Sequence, residues 1–193
     1  MRSLLVYCGS STGSKPVYRE TAGRFGTLMA KRNIRLVYGG GSIGLMGILA
    51  DSVLKSGGEV TGVIPDFLNA LEVAHRGVED MRIVKSMHER KALMEQLSEA
   101  VVALPGGYGT LDELFEILTW AQLGLHDKPV GLLNLDGYFD HLIAQADHML
   151  GEGFISERTR ALLLIESDAE KLLDRLQNAR PGANEQWMDR SQV

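Results

Sequence analysis

The chain has 193 residues, a length typical of one domain, and 45% of them are hydrophobic and 23% charged. Its net charge of -5 argues against a broad nucleic-acid-binding surface, and no apolar run is long enough to cross a bilayer. The single cysteine, Cys8, allows no internal disulfide, which fits a reducing compartment, so we expect a cytoplasmic protein.

Short apolar strands alternate with helical segments along the N-terminal half. Pro16 suits the first turn of a helix, and the buried-looking run from Ala100 to Leu104 indicates a strand. The pattern predicts strands at 3–8, 34–38, 59–64, 81–84 and 100–104, and helices at 16–32, 45–55 and 86–98. Residues 67–80 show no clear period and are interpreted as a loop with one helical turn.

The same alternation continues to the end of the domain. It predicts helices at 114–123, 138–150 and 169–176, and strands at 130–135 and 162–165. The sequence turns polar after Asn178, so we predict one domain at 1–178 and a frayed tail at 179–193. Strands that alternate with helices predict an α/β fold, a single doubly wound and mostly parallel sheet with helices on both faces.

Three turns rich in small residues follow predicted strands. They lie at 8–14, 39–44 and 105–110. Because ligands of doubly wound sheets bind beyond the carboxyl ends of the strands, we expect the three turns to share one rim and to form the binding site.

The turn at 105–110 is built from three glycines between a strand and a helix. Backbone N–H groups at such a helix start, together with the helix dipole, favour a phosphate. Glu113 lies one turn into the helix, so a carboxylate stands beside the predicted phosphate site. Thr110 and Glu113 also match a capping box, which taken alone is the simpler explanation of both residues.

The turn at 39–44 matches the dinucleotide fingerprint Gly-x-Gly-x-x-Gly, and Asp66 falls after the next strand, where a ribose-binding acid would lie. The motif sits on the second strand, however, and not on the first. It therefore supports a nucleotide phosphate or ribose site better than a bound NAD.

Arg90 shares one helix face with Met87, Met94 and Leu97, and this otherwise apolar face should point inward. An arginine there either snorkels to water or directs its guanidinium into the rim to hold a phosphate or a sugar oxygen. For Lys91, the more common arrangement is a surface pair with Glu95.

The remaining patterns bear on assembly and on excluded chemistry. The helix at 114–123 is apolar nearly all round, which predicts a homodimer interface or a cover by the C-terminal segment. His141 and His148 have no third ligand at metal spacing, so we predict no metal site. Ser10 and Ser11 lack a nearby histidine–acid pair, which disfavours a serine hydrolase.

Several long motifs together resemble the LONELY GUY family of cytokinin-activating phosphoribohydrolases. The segment 105–113, PGGYGTLDE, resembles the family signature PGGxGTxxE. The segments 39–47 (GGGSIGLMG), 87–91 (MHERK), 120–124 (WAQLG) and 127–131 (DKPVG) are similar to further family motifs, and the resemblance runs to about Leu176. Many relatives carry Glu where this chain has Asp112, which retains a carboxylate.

The resemblance implies a Rossmann-like homodimer whose active sites lie near the interface. It implies hydrolysis of the N-glycosidic bond of an N6-substituted adenosine 5′-monophosphate to free base and ribose 5-phosphate, with no cofactor. Family members are also described as lysine decarboxylases, but no pyridoxal-binding pattern is evident. The segment 67–80 matches less well and should border the base pocket, so the preferred base stays open.

The resemblance also implies the roles of individual residues. Glu113 takes the place of the catalytic glutamate, which stabilises the positive ribose or activates water, and Arg90 that of the catalytic arginine, which orients the substrate. The predicted substrate- and phosphate-binding residues are Gly9, Ser10, Gly41, Ser42, Gly44, Met46, Glu72, Met87, Lys91, Gly106, Gly107, Tyr108, Gly109, Thr110 and Asp112.

Two alternatives remain beside this hypothesis. A broader hydrolase of AMP and other nucleoside 5′-monophosphates needs the same phosphate site and carboxylate. A nucleotide sensor without turnover would keep the glycine turns but would not need Glu113 and Arg90 together.

Overall fold

A computed structural model describes residues 1–70 and 74–179. Glu72 and the predicted tail beyond Ala179 lie outside the described residues. The described residues form one sheet of seven strands, and every neighbouring pair is parallel. The strands are β1 Ser3–Tyr7, β2 Arg35–Tyr38, β3 Val60–Pro65, β4 Asp80–Val84, β5 Ala100–Ala103, β6 Val130–Leu133 and β7 Leu163–Glu166.

Helices connect the strands. They are α1 Pro16–Lys31, α2 Gly44–Lys55, α3 Asp66–Ala70, α4 Met87–Gln96, α5 Tyr108–Gln122, α6 Asp140–Gly151, α7 Glu157–Arg160 and α8 Ala169–Asn178, with a 3-10 turn at Leu135–Gly137. In the part of the chain described, no helix combines the length and the apolarity that a membrane span requires. The parallel strands and the helices that connect them confirm the predicted α/β fold.

Two separate cores cover the two faces of the sheet, because successive strand side chains point to opposite sides. On β1, Leu4 and Val6 pack with α1, α2 and α8, whereas Leu5 and Tyr7 pack with α4, α5 and the start of α6. The C-terminal helix α8 thus lies on the face opposite α5, so it does not cover the outer side of α5.

The strand order β4-β3-β2-β1-β5-β6-β7 reverses direction between β1 and β5. Ligands of doubly wound sheets bind at such a switch point, outside the carboxyl ends of the strands. The turns that follow β1 and β5 are the first and third of the three small-residue turns, so the topology puts both at this position.

Several predicted boundaries were wrong. The strand predicted at 130–135 ends at Leu133, because Asp136 and Gly137 adopt left-handed backbone angles that turn the chain away. The helix predicted from 114 begins at Tyr108, and the short helix α7 was not predicted.

Candidate active site

Backbone hydrogen bonds join the three turns into one rim. The Gly9 N–H donates to the Pro105 carbonyl at 3.0 Å, and the Leu45 N–H donates to the Gly9 carbonyl at 3.0 Å. A Cβ on Gly44 would lie 2.2 Å from the Ser10 carbonyl carbon, so the second turn also packs directly on the first. The prediction of a shared rim is confirmed.

Arg90 lies under this rim and is only 8% exposed. Its Nη1 donates to Glu113 Oε1 at 2.9 Å, its Nε to the Val63 carbonyl at 3.2 Å, and its Nη2 to the Gly39 carbonyl at 3.4 Å. The snorkelling alternative is therefore wrong. A Cβ on Gly39 would come within 1.9 Å of Arg90 Nη2, so this glycine makes room for the guanidinium.

Glu113 is equally buried, at 8% exposure, and its ion pair with Arg90 joins α5 to α4. Burial raises the pKa of the Glu113 carboxyl above its ordinary value, while the positive charges of Arg90 and Lys91 act in the opposite direction. A carboxylate with a raised pKa in a cleft is a candidate general base.

The capping-box interpretation of Thr110 and Glu113 is wrong. The helix α5 begins at Tyr108, its N-cap is Gly107, and no side chain caps it. Thr110 is in the first turn, where its hydroxyl packs over Gly106, and Glu113 bonds to Arg90.

Lys91 is buried at 7% exposure, so the predicted surface position is wrong. Its Nζ contacts Asp112 Oδ2 at 3.1 Å and Glu116 Oε1 at 2.9 Å, both on α5. Two carboxylates one helix turn apart on α5 thus hold the Lys91 ammonium group. The ammonium group lies near Glu113 but bonds to these two neighbours.

The N-terminus of α5 presents its backbone to the rim. The N–H groups of Tyr108, Gly109 and Thr110 have no acceptor within the helix, as in the first turn of any α-helix. A Cβ on Gly107 or Gly109 would meet no atom within 4 Å, so both glycines face open space. The geometry suits an anion that approaches the backbone closely.

The other predicted residues divide by location. Gly9 and Gly41 are buried within their turns, whereas Ser10, Ser42, Met87, Tyr108 and Asp112 are exposed along the rim. Gly44 and Met46 begin α2, and the Met46 side chain lies against Gly41. Glu72 is outside the described residues, and so is any contact it makes.

Sequence reasoning missed Tyr138, whose hydroxyl donates to the Gly106 carbonyl at 2.6 Å. Its place after β6, at the same edge of the sheet as the three turns, was the available signal.

Among residues 1–70 and 74–179, no cluster of three histidine, cysteine or acidic side chains could hold a metal ion. His141 and His148 are exposed on α6.

The fold and the site define a Rossmann-like α/β protein with an open helix N-terminus beside a buried glutamate–arginine pair. A family model described as "possible lysine decarboxylase" matches residues 46–176. Cytokinin riboside 5′-monophosphate phosphoribohydrolase LOG1 of Arabidopsis thaliana is 48% identical over 93% of this chain and 84% of its own. The probable phosphoribohydrolase LOGL9 of Oryza sativa subsp. japonica is 50% identical, over 93% and 79%. The chain therefore belongs to the LONELY GUY family.

Solved structures support the fold independently. The molybdenum cofactor binding protein of Rippkaea orientalis aligns over 92% of this chain and 96% of its own with a TM-score of 0.69 and 21% identity. The molybdenum cofactor carrier protein of Chlamydomonas reinhardtii aligns over 91% and 95% with a TM-score of 0.66 and 18% identity. At these identities the likeness concerns the fold alone.

Proposed function

We propose that this protein hydrolyses the N-glycosidic bond of N6-substituted adenosine 5′-monophosphates and releases the free base and ribose 5-phosphate. The observation that carries the proposal is the buried Glu113–Arg90 pair beside the uncapped N-terminus of α5. Phosphoribohydrolases of this substrate class are 48% identical to the chain over nearly its whole length, which supports the same reaction.

The 5′-phosphate is assigned to the start of α5. Its oxygens accept hydrogen bonds from the N–H groups between Gly107 and Thr110, where the helix dipole favours negative charge. Neither packing nor a positive φ requires glycine at position 107 or 109. The missing side chains of Gly107 and Gly109 leave the approach to the backbone open. Binding energy at the phosphate then fixes the ribose over Glu113, so we expect nucleotides to react faster than nucleosides.

The reaction follows from the charge that develops on the sugar. As the bond between C1′ and the base breaks, the bonding electrons leave with the base and positive charge builds on the ribose. The Glu113 carboxylate stabilises that charge and takes a proton from the attacking water, whose oxygen bonds to C1′. The departing base takes up a proton from solvent, and Glu113 releases to solvent the proton that it accepted, which restores the carboxylate. Arg90 holds Glu113 at 2.9 Å. Three of its five N–H donors bond within the protein, and we assign the other two to the ribose or the phosphate.

The remaining predicted contacts keep their assignment to the substrate except for two. Lys91 and Asp112 bond to each other at 3.1 Å, and Lys91 also holds Glu116, so its ammonium is not free to bind phosphate. We assign both residues to the support of the helix that carries Glu113. Ser10, Ser42, Met87 and Tyr108 are exposed and keep their assignment to the ligand.

We further propose a cytoplasmic homodimer that buries the outer side of α5. Phe115 on this side is 42% exposed. A groove of about 400 Å³, lined in part by His88 and Trp120, follows one flank of α5, and a second of about 210 Å³, lined in part by Leu118 and Leu142, follows the other. Light scattering should give a dimer mass, and Phe115→Asp should lower it to that of a monomer.

The reaction is tested by chromatography of two incubations, one with AMP and one with N6-isopentenyladenosine monophosphate. Much faster base release from the prenylated nucleotide is the expected result. Equal release from both would favour a general nucleoside 5′-monophosphate hydrolase. Binding without release from either would contradict the proposal and favour a nucleotide sensor.

A further inference from the structure

The turn that follows β6 reaches the predicted phosphate site through one side chain. The Tyr138 hydroxyl donates to the Gly106 carbonyl at 2.6 Å. Its ring packs edge-to-face on Tyr18, with ring centroids 5.5 Å apart, and on Phe139 at 4.8 Å. Tyr138 is nevertheless 41% exposed, so burial in the core does not explain why its hydroxyl is directed at Gly106.

The backbone around Tyr138 is held by polar contacts. Asp136 and Gly137 have φ values of 50° and 70°, which reverse the chain directly before it. The Asn134 side chain accepts from the Phe139 N–H at 2.8 Å and donates to Asp140 at 2.7 Å. Lys15, from the turn after β1, contacts Asp136 at 2.5 Å. The turn after β6 therefore contacts the rim at two places, through Asp136 and through Tyr138.

Every carbonyl at the start of the glycine turn has a donor directed at it. The Pro105 carbonyl accepts from the Gly9 N–H at 3.0 Å, and the Gly107 carbonyl accepts from the Leu111 N–H at 3.2 Å. The Gly106 carbonyl accepts from Tyr138, the one donor of the three that belongs to a side chain. A peptide plane between two glycines rotates easily, and a rotated plane would turn the Gly106 oxygen toward the site and repel an anion.

We propose that Tyr138 is a positioning residue that fixes the Gly106 peptide so that the N–H groups of the glycine turn face the substrate phosphate. The inference rests on the proposed function for the identity of the ligand, a ribose 5-phosphate group. Tyr138 itself lies behind the turn and acts through Gly106.

The test is Tyr138→Phe, which keeps the ring and its packing and removes only the hydroxyl. Calorimetry should show ribose 5-phosphate and inorganic phosphate binding about 3- to 10-fold more weakly, the value of one hydrogen bond. KM for the nucleotide should rise by the same factor while kcat changes little. Tyr18→Phe, which removes a hydroxyl from the same aromatic stack, is the matched control and should bind both ligands as the wild type does.

Unchanged phosphate affinity in Tyr138→Phe would overturn the inference, and so would an equal loss in Tyr18→Phe. These binding measurements do not depend on turnover. A wild-type protein that binds ribose 5-phosphate but releases no base would contradict the proposed function, while weaker binding in Tyr138→Phe would still support the role of Tyr138.

Discussion

The two glycine turns of the rim look alike in sequence but use their glycines differently. In the turn at 39–44, Gly39 makes room for Arg90, and Gly44 has a φ of 63° with the Ser10 backbone 2.2 Å from its missing Cβ. In the turn at 105–110, Gly106 is packed against Thr110, whereas Gly107 and Gly109 border open space without a positive φ.

The contrast separates glycines that the fold requires from glycines that a ligand requires. Open space beside a glycine does not by itself indicate a ligand, but Gly107 and Gly109 also lie at an uncapped helix start beside the Glu113–Arg90 pair, where an anion can approach the backbone. On this basis we assign the turn at 39–44 mainly to building the rim and seating Arg90, and we propose that the turn at 105–110 is the part that meets the phosphate. Substitutions of Gly39 and Gly44 should therefore cost stability, and substitutions of Gly107 and Gly109 should cost function.

The largest effect is expected at Glu113, beside the second turn. Glu113→Gln removes the proposed general base but leaves an amide oxygen that can accept from Arg90. Base release should fall by about 10²- to 10⁴-fold. Ribose 5-phosphate should bind at least as tightly as before, because a negative charge near the phosphate is lost. Wild-type rates in this variant would refute the catalytic assignment.

Gly44→Ala should have the largest effect on stability. The left-handed φ costs about 1–2 kcal/mol for a residue with a Cβ, and the overlap with Ser10 adds to it, so we expect a loss of about 3 kcal/mol in the free energy of unfolding. Urea denaturation measures it. Gly57→Ala is the control, because Gly57 shares a positive φ of 76° but has no atom within 4 Å of its missing Cβ. An equal loss in both variants would mean that contact with the first turn contributes nothing.

Lys91→Met should shift the pH dependence of the reaction. The Lys91 charge lowers the pKa of Glu113, against the effect of burial, so its removal lets that pKa rise. A general base acts when deprotonated, and activity is lost as the pH falls through its pKa. The acidic limb of the kcat/KM profile should thus move to higher pH. Lys91→Arg keeps the charge and should leave the limb in place; a shift of the same size there would rule out charge as the cause.

Local patterns were enough to predict the sheet, its parallel strands and the shared rim, because strand and helix periods depend on neighbouring residues. The inward direction of the Arg90 helix face was also predictable, since that face is otherwise apolar, but whether its guanidinium reached water was left open. Its choice of partner was not predictable. Thr110 and Glu113 satisfied a local capping rule that lost to an ion pair between α4 and α5.

The contacts that sequence reasoning missed join residues far apart in the chain. Lys91 bonds to two carboxylates on the next helix, α5, although Glu95 stands at the usual spacing within α4. Tyr138 bonds to Gly106, 32 residues earlier. Both pairings depend on strand order, which brings α4 beside α5 and β6 beside β5, and no local rule encodes that order.

The most direct test of the account is Gly109→Ala, with unfolding and ribose 5-phosphate binding measured on the same protein. We expect unchanged stability, or a gain of up to about 1 kcal/mol because alanine favours the helix. Binding should be at least about tenfold weaker, since the new methyl group obstructs hydrogen bonds to a charged phosphate. Gly151→Ala on α6, which also faces open space, should leave binding unchanged. A stability loss of about 2 kcal/mol with wild-type binding would contradict the account, because Gly109 would then serve the fold.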